Sequence, residues 1–112
     1  MSKNNCGLQV CSNGGVMVAS LKGELDHHGA VAVRTLIDAE IKRTSPKKLI
    51  LELSALDFMD SSGLGLIMGR FALVKQYGGS FAVLDPSAAV IKIMKLAGME
   101  RMISILRTKD KK

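Results

Sequence analysis

Residues 57–66 read DFMDSSGLGL, which places two acids, two adjacent hydroxyls and two glycines alternating with leucine inside ten positions. Three chemistries draw on residues of these types: a serine nucleophile, a glycine loop around a phosphate, and a hydroxyl that is itself modified. A nucleophile elbow requires G-x-S-x-G, but Met59 and Asp60 stand two positions before Ser61 and Ser62, so the glycines that relieve the sharp turn are missing. The only histidines are His27 and His28, for which an exposed or helix-capping role is expected. The run GLGLIMG matches neither G-x-G-x-x-G nor the Gly-Lys-Ser/Thr grip on a nucleotide. Gly65 and Gly69 fall four apart on one helical face, where they are expected to let a helix approach the sheet or another chain closely.

The third chemistry uses the whole stretch. A serine at a helix mouth caps it through Oγ, and the N-terminal N–H groups and dipole tolerate a phosphate at the same place. Phosphorylation then leaves the helix intact and changes the surface. Close to two negative charges arrive beside Asp60 and near Asp57, which disfavours a partner that docks on the bare serine.

The surrounding elements must put that junction between a strand and a helix. Residues 6–11 and 16–22 read as two strands around Asn13-Gly14, a hairpin signal, and in 16–22 apolar residues on both faces suggest two-sided burial. Val33, Leu36, Ile37 and Ile41 recur at helical spacing in 29–44, and Ser45-Pro46 ends that helix. Residues 48–53 fit a central strand covered on both faces by helices. A second helix spans 62–77 with Leu64, Ile67, Met68, Phe71 and Val74 as its stripe. Residues 80–84 are a third buried strand, Asp85-Pro86-Ser87 opens a helix lined by Val90, Ile93, Met94 and Ala97, Gly98 closes it, and 102–106 form a last strand. The pattern ββαβαβαβ predicts an α/β fold: one mixed sheet of four to five strands packed with helices.

Composition bounds what such a domain does. A chain of 112 residues buries one core, so a single domain is expected over 1–112, with its core at about 6–106. No apolar run approaches a membrane span and MSKNNCG lacks a signal-peptide core, so a cytoplasmic address is the expectation and no membrane partner is expected. Cys6 and Cys11 match neither C-x-x-C nor a metal-ligand pair, so two reduced thiols are expected. Of the net charge of +6, the tail RTKDKK at 107–112 supplies half, and a solvated, frayed tail accounts for it. With one tyrosine and no tryptophan, neither a stacking platform nor a basic stripe is evident, and no direct nucleic-acid partner is expected.

GELDHH at 23–28 paired with FMDSSGLG at 58–65 resembles the STAS-domain anti-sigma factor antagonists of the bacterial sporulation type. The resemblance continues through Met68-Gly69-Arg70-Phe71 to the DP-S-A motif at Asp85 to Ala88 and covers about residues 8–106. It implies a STAS fold and a non-enzymatic switch without a cofactor. In that family the unphosphorylated antagonist binds an anti-sigma factor, itself a GHKL-type serine kinase, and so frees a sigma factor. The kinase phosphorylates the antagonist, and a PP2C-type phosphatase resets it. The resemblance places the acceptor at Ser61 and the docking contacts among Asp26, Asp60, Ser62, Gly63, Leu64 and Gly65. STAS domains also serve other bacterial signalling and transport systems, and a small nucleotide-binding or acyl-transfer domain built on Asp60-Ser61 is the rival from another class.

Overall fold

The computed structural model describes residues 6–108. Strand β1 (Cys6–Asn13) and strand β2 (Val16–Leu25) are followed by helix α1 (His27–Thr44), β3 (Lys48–Met59), α2 (Ser61–Gln76), β4 (Ser80–Leu84), α3 (Ala88–Leu96), a 3₁₀ turn (Met99–Arg101) and β5 (Ser104–Leu106). The strands lie in chain order across one five-stranded sheet; β1 is antiparallel to β2 and the other neighbours are parallel. The predicted pattern is therefore the observed one. The opening hairpin turns on Gly14 and Gly15, both left-handed with φ of 61° and 86°, which the twist of a two-residue hairpin demands.

Each parallel connection steps to the next strand, and the right-handed crossover rule sends all three helices to the same side of the sheet. Burial agrees. The registered rows Met17–Leu49–Phe81 and Ala19–Leu51–Val83 join one core with Val33 and Ile37 of α1, Ile67 and Val74 of α2, and Val90 and Met94 of α3. Their strand neighbours Val18, Ile50 and Ala82 point the other way and lie outside that core. The full two-sided burial expected of β2 and the double helical cover expected of β3 are thus not found: successive +1 crossovers put the described helices on one face, and on the other Val18 and Ile50 are only half-buried.

Boundaries and stripes shift as well. β2 extends to Leu25 and β3 to Met59, beyond the expected ends, with register shifts at Ser20/Lys22 and Gly23/Glu24. Leu36, expected in the α1 stripe, is 58% exposed, and Ala97 of the α3 stripe is also exposed. In α2 the buried set is Gly63, Leu66, Ile67, Arg70 and Val74, while Leu64, Met68 and Phe71 pack against the core half-buried. Arg70 lies with its Nε 2.8 Å from Asp38 Oδ1, an ion pair that ties α2 to α1. Burial pulls its guanidinium below the ordinary value, Asp38 pushes it back up, and nearby Arg34 lowers it. Cys6 is buried and Cys11 exposed, and they are not joined in a disulfide. The basic tail starts out anchored: Thr108 donates from its N and Oγ1 to the Asp85 carboxylate at 2.9 and 2.7 Å. Residues 1–5 and 109–112, where the remainder of the tail falls, lie outside the described residues.

Candidate functional site

Leu25 and Met59 are register partners at the ends of the parallel strands β2 and β3. The next residue of each strand is an aspartate, and each aspartate starts a helix. Asp26 caps α1 by accepting from the Gly29 N–H at 2.9 Å, and Asp60 caps α2 by accepting from the Ser62 N–H at 2.8 Å. The Asp60 N–H donates to Leu25 O at 3.2 Å, so a main-chain bond clamps one cap to the strand that feeds the other. Two helix N-termini therefore stand side by side at one end of the sheet. The sequence contains the motif behind this, D-x-x-G at 26–29 and again at 60–63, a short repeat that hydropathy reading passes over.

The serines sit differently from the expectation that a serine would cap the helix. Asp60 is the cap, because a carboxylate one residue earlier reaches the N-terminal N–H groups and its charge complements the helix dipole. Ser61 is thereby released: it is the first residue of α2, it is exposed, and its hydroxyl makes no hydrogen bond among the described residues. Ser62 is half-buried, and its Oγ lies 3.5 Å from His27 Nδ1, at the outer limit of a hydrogen bond. His27 and His28 are both exposed, as expected, and their rings meet edge-on with centroids 6.0 Å apart.

The remaining predicted site residues divide by depth. Gly63 is buried, and a Cβ there would stand 2.6 Å from Met59 Sδ and 2.9 Å from Met59 Cβ, so this glycine lets the first turn of α2 close on the end of β3. Leu64 leans half-buried into the core. Gly65 is exposed, and a Cβ built on it or on Gly69 meets nothing within 4 Å. The close helix approach expected of those two glycines is therefore absent among the described residues, and Gly63, not assigned that role, has it. Gly65 instead floors a groove of about 250 Å³ between α1 and α2, lined also by His27, Ala30, Val31, Arg34 and Ser62. Spacing offered no signal for Arg34 and Val31 there; the parallel run of α1 beside α2 creates the groove.

This arrangement bears on each chemistry. For a nucleophile, one histidine does come near the serine pair, yet no carboxylate bonds its ring among the described residues, so nothing orients it as a base. For a phosphate loop, the glycines lie inside α2, where the backbone N–H groups beyond the first turn are consumed by the helix. For a modified hydroxyl, Ser61 is accessible and lies at the positive end of a helix dipole, with Asp60 adjacent.

Comparison with known proteins follows the same line. A family model described as the STAS domain matches residues 8–111. An anti-sigma F factor antagonist of Paenibacillus polymyxa is 42% identical over 91 residues, spanning 81% of this chain and 78% of that one. Among solved structures, the anti-sigma factor antagonist SpoIIAA in its unphosphorylated form matches with a TM-score of 0.82 at 30% identity, covering 93% of this chain and 90% of that one. The Bacillus cell fate determinant SpoIIAA in its phosphorylated form matches with a TM-score of 0.75 at 28% identity, covering 93% of each chain. By its paired strand ends, its five-stranded one-sided sheet and these matches, the chain belongs to the STAS domain family.

Proposed function

We propose that this protein is an anti-sigma factor antagonist that works by partner switching, with Ser61 as the phosphate acceptor. The observation that carries the reading is the free, exposed hydroxyl of Ser61 on a helix whose cap is already supplied by Asp60. Modifying a capping serine would cost the helix its cap; modifying Ser61 costs nothing of the kind, and the helix dipole favours the added charge. The effect falls on the docking surface, where Asp26, Asp60, Ser62 and Gly65 surround the acceptor while Gly63 and Leu64 hold the turn from beneath. The phosphorylated and unphosphorylated states of a similar protein share this fold, which supports a switch that acts by charge and leaves the scaffold in place.

In this reading the unphosphorylated protein binds an anti-sigma factor that is also a serine kinase, and a phosphatase restores the bare hydroxyl. The relative from Paenibacillus polymyxa supplies the assay partner. Incubation with that bacterium's anti-sigma F factor and ATP is expected to deposit one phosphate, located by mass spectrometry on Ser61, and Ser61→Ala is expected to accept none. Phosphate on Ser62 in the wild type, or label that persists in Ser61→Ala, overturns the assignment. Thermal shift against free nucleotides separates the rival: a nucleotide site raises apparent stability by about 2.7 kcal/mol at a hundredfold excess over its dissociation constant, and the switch gives a flat response.

A further inference from the structure

The site occupies one end of the sheet and leaves the face opposite the helices without a role. Across that face Cys11, Val18, Ile50 and Ala82 stand in one register row, each on a different strand. Ile50 lies on the third strand of five, at the centre of the face, and Lys48 and Glu52 flank it on the same strand and the same side. Glu52 is steadied by the Ser54 N–H, which donates to its Oε2 at 3.0 Å. Cys11 is exposed, Val18 and Ile50 are half-buried and Ala82 is buried, and none of the four belongs to the core cluster.

The pattern is self-complementary. Rotating a second copy by half a turn about an axis that crosses the strands at Ile50 reverses its strand direction and keeps strand over strand. The apolar row then lies on its own counterpart, Lys48 faces Glu52 of the second copy, and Glu52 faces its Lys48. The same operation sets Asn13, in register with Val16 and Lys48, over Gln9, in register with Ser20 and Glu52, so amide meets amide. Two sheets stacked in this way are in the aligned class of sheet packing. Global charge points to the same surface. Two copies each carrying +6 repel over most of their surroundings, whereas the centre of this face carries one positive and one negative charge that cancel.

We infer that the face of the sheet opposite the helices is a homodimer interface, a two-fold stack centred on Ile50 with reciprocal Lys48–Glu52 ion pairs. Five strands at about 4.8 Å spacing and five residues at about 3.3 Å give a patch of roughly 400 Å², about half of what a standard interface buries per partner. The dimer is therefore a reversible one that forms at high protein concentration and leaves the serine end of each copy free.

Sedimentation equilibrium from about 10 µM to about 1 mM, with an amide NMR dilution series, tests this. The expected result is a mass that rises toward two chains and shifts confined to amides of the row around Val18, Ile50 and Ala82. Lys48→Glu or Glu52→Lys alone is expected to weaken association by about tenfold or more, because each creates two like-charge contacts in the dimer. The double exchange, Lys48→Glu with Glu52→Lys, is expected to restore it to within about threefold, with circular dichroism reporting the fold of all three variants. A monomer at the highest concentration, shifts centred on α1 and α2, or a double exchange that stays as weak as the singles overturns the inference.

Discussion

Helices α1 and α2 begin in nearly the same way. Asp26 and Asp60 both cap from extended backbone, with φ and ψ of −105° and −172° in one and −95° and −167° in the other, and each is followed three residues later by a buried glycine. They differ in what comes next: His27 and His28 in α1, Ser61 and Ser62 in α2. Capping is thus common to both ends and confers nothing special on either. The distinction lies in one exposed hydroxyl, the acceptor in the proposed switch, at the position where the shared architecture best tolerates a negative charge.

The widest separation between the two ends should appear in partner binding. Ser61→Asp is predicted to weaken binding of the Paenibacillus polymyxa anti-sigma F factor by on the order of 100-fold, and His27→Asp, the equivalent change on α1, by tenfold or less, measured by calorimetry. Equal losses would mean that any charge at this end of the sheet disrupts docking and that the serine position is not distinctive. Neither change should lower stability by more than about 0.5 kcal/mol, because both add an acid to a helix first turn.

A second contrast is steric. Gly63→Ala is predicted to cost about 1–3 kcal/mol in chemical denaturation, since its methyl group would overlap Met59 with little room to yield. Gly65→Ala, two residues on and open to solvent, is predicted to gain up to about 1 kcal/mol from helix propensity. The capping carboxylates come next: Asp26→Ala and Asp60→Ala should each cost about 1 kcal/mol, and a large inequality between them would show that the two ends are less alike than their geometry. The smallest effect expected is that of His27→Ala on stability, within about 0.5 kcal/mol, because its contact with Ser62 is long and exposed.

The order of elements and the exposed serine junction were legible in the sequence because strong signals marked them: Asn13-Gly14, Ser45-Pro46, and helical spacing in α1. The ends of β2 and β3 were not. Register shifts after Ser20 break the period of two, and the buried residues of β3 then recur every third position at Leu53, Leu56 and Met59, a spacing that reads as a turn or helix start. The stripe of α2 was misplaced for another reason. Apolar residues occupy most of its circumference, so periodicity could not choose Leu66 over Leu64, and an arginine is not sought among core positions. Arg70 enters the core only because Asp38 waits for it on the neighbouring helix, a pairing that no local pattern encodes. The sheet face opposite the helices was equally hidden, since a strand flanked by half-buried valine and isoleucine looks in sequence like one enclosed on both sides.

The bond from the Asp60 N–H to Leu25 O joins segments that lie on opposite sides of α1 in the chain. An unfolded polypeptide carries the same serine next to Asp60, yet the capped helix and the companion terminus of α1 stand beside it only in the fold that pairs Leu25 with Met59. Under the proposed switch, an enzyme that reads this constellation surveys finished molecules, and the signalling pool is drawn from chains that have already passed an inspection built into their own assembly.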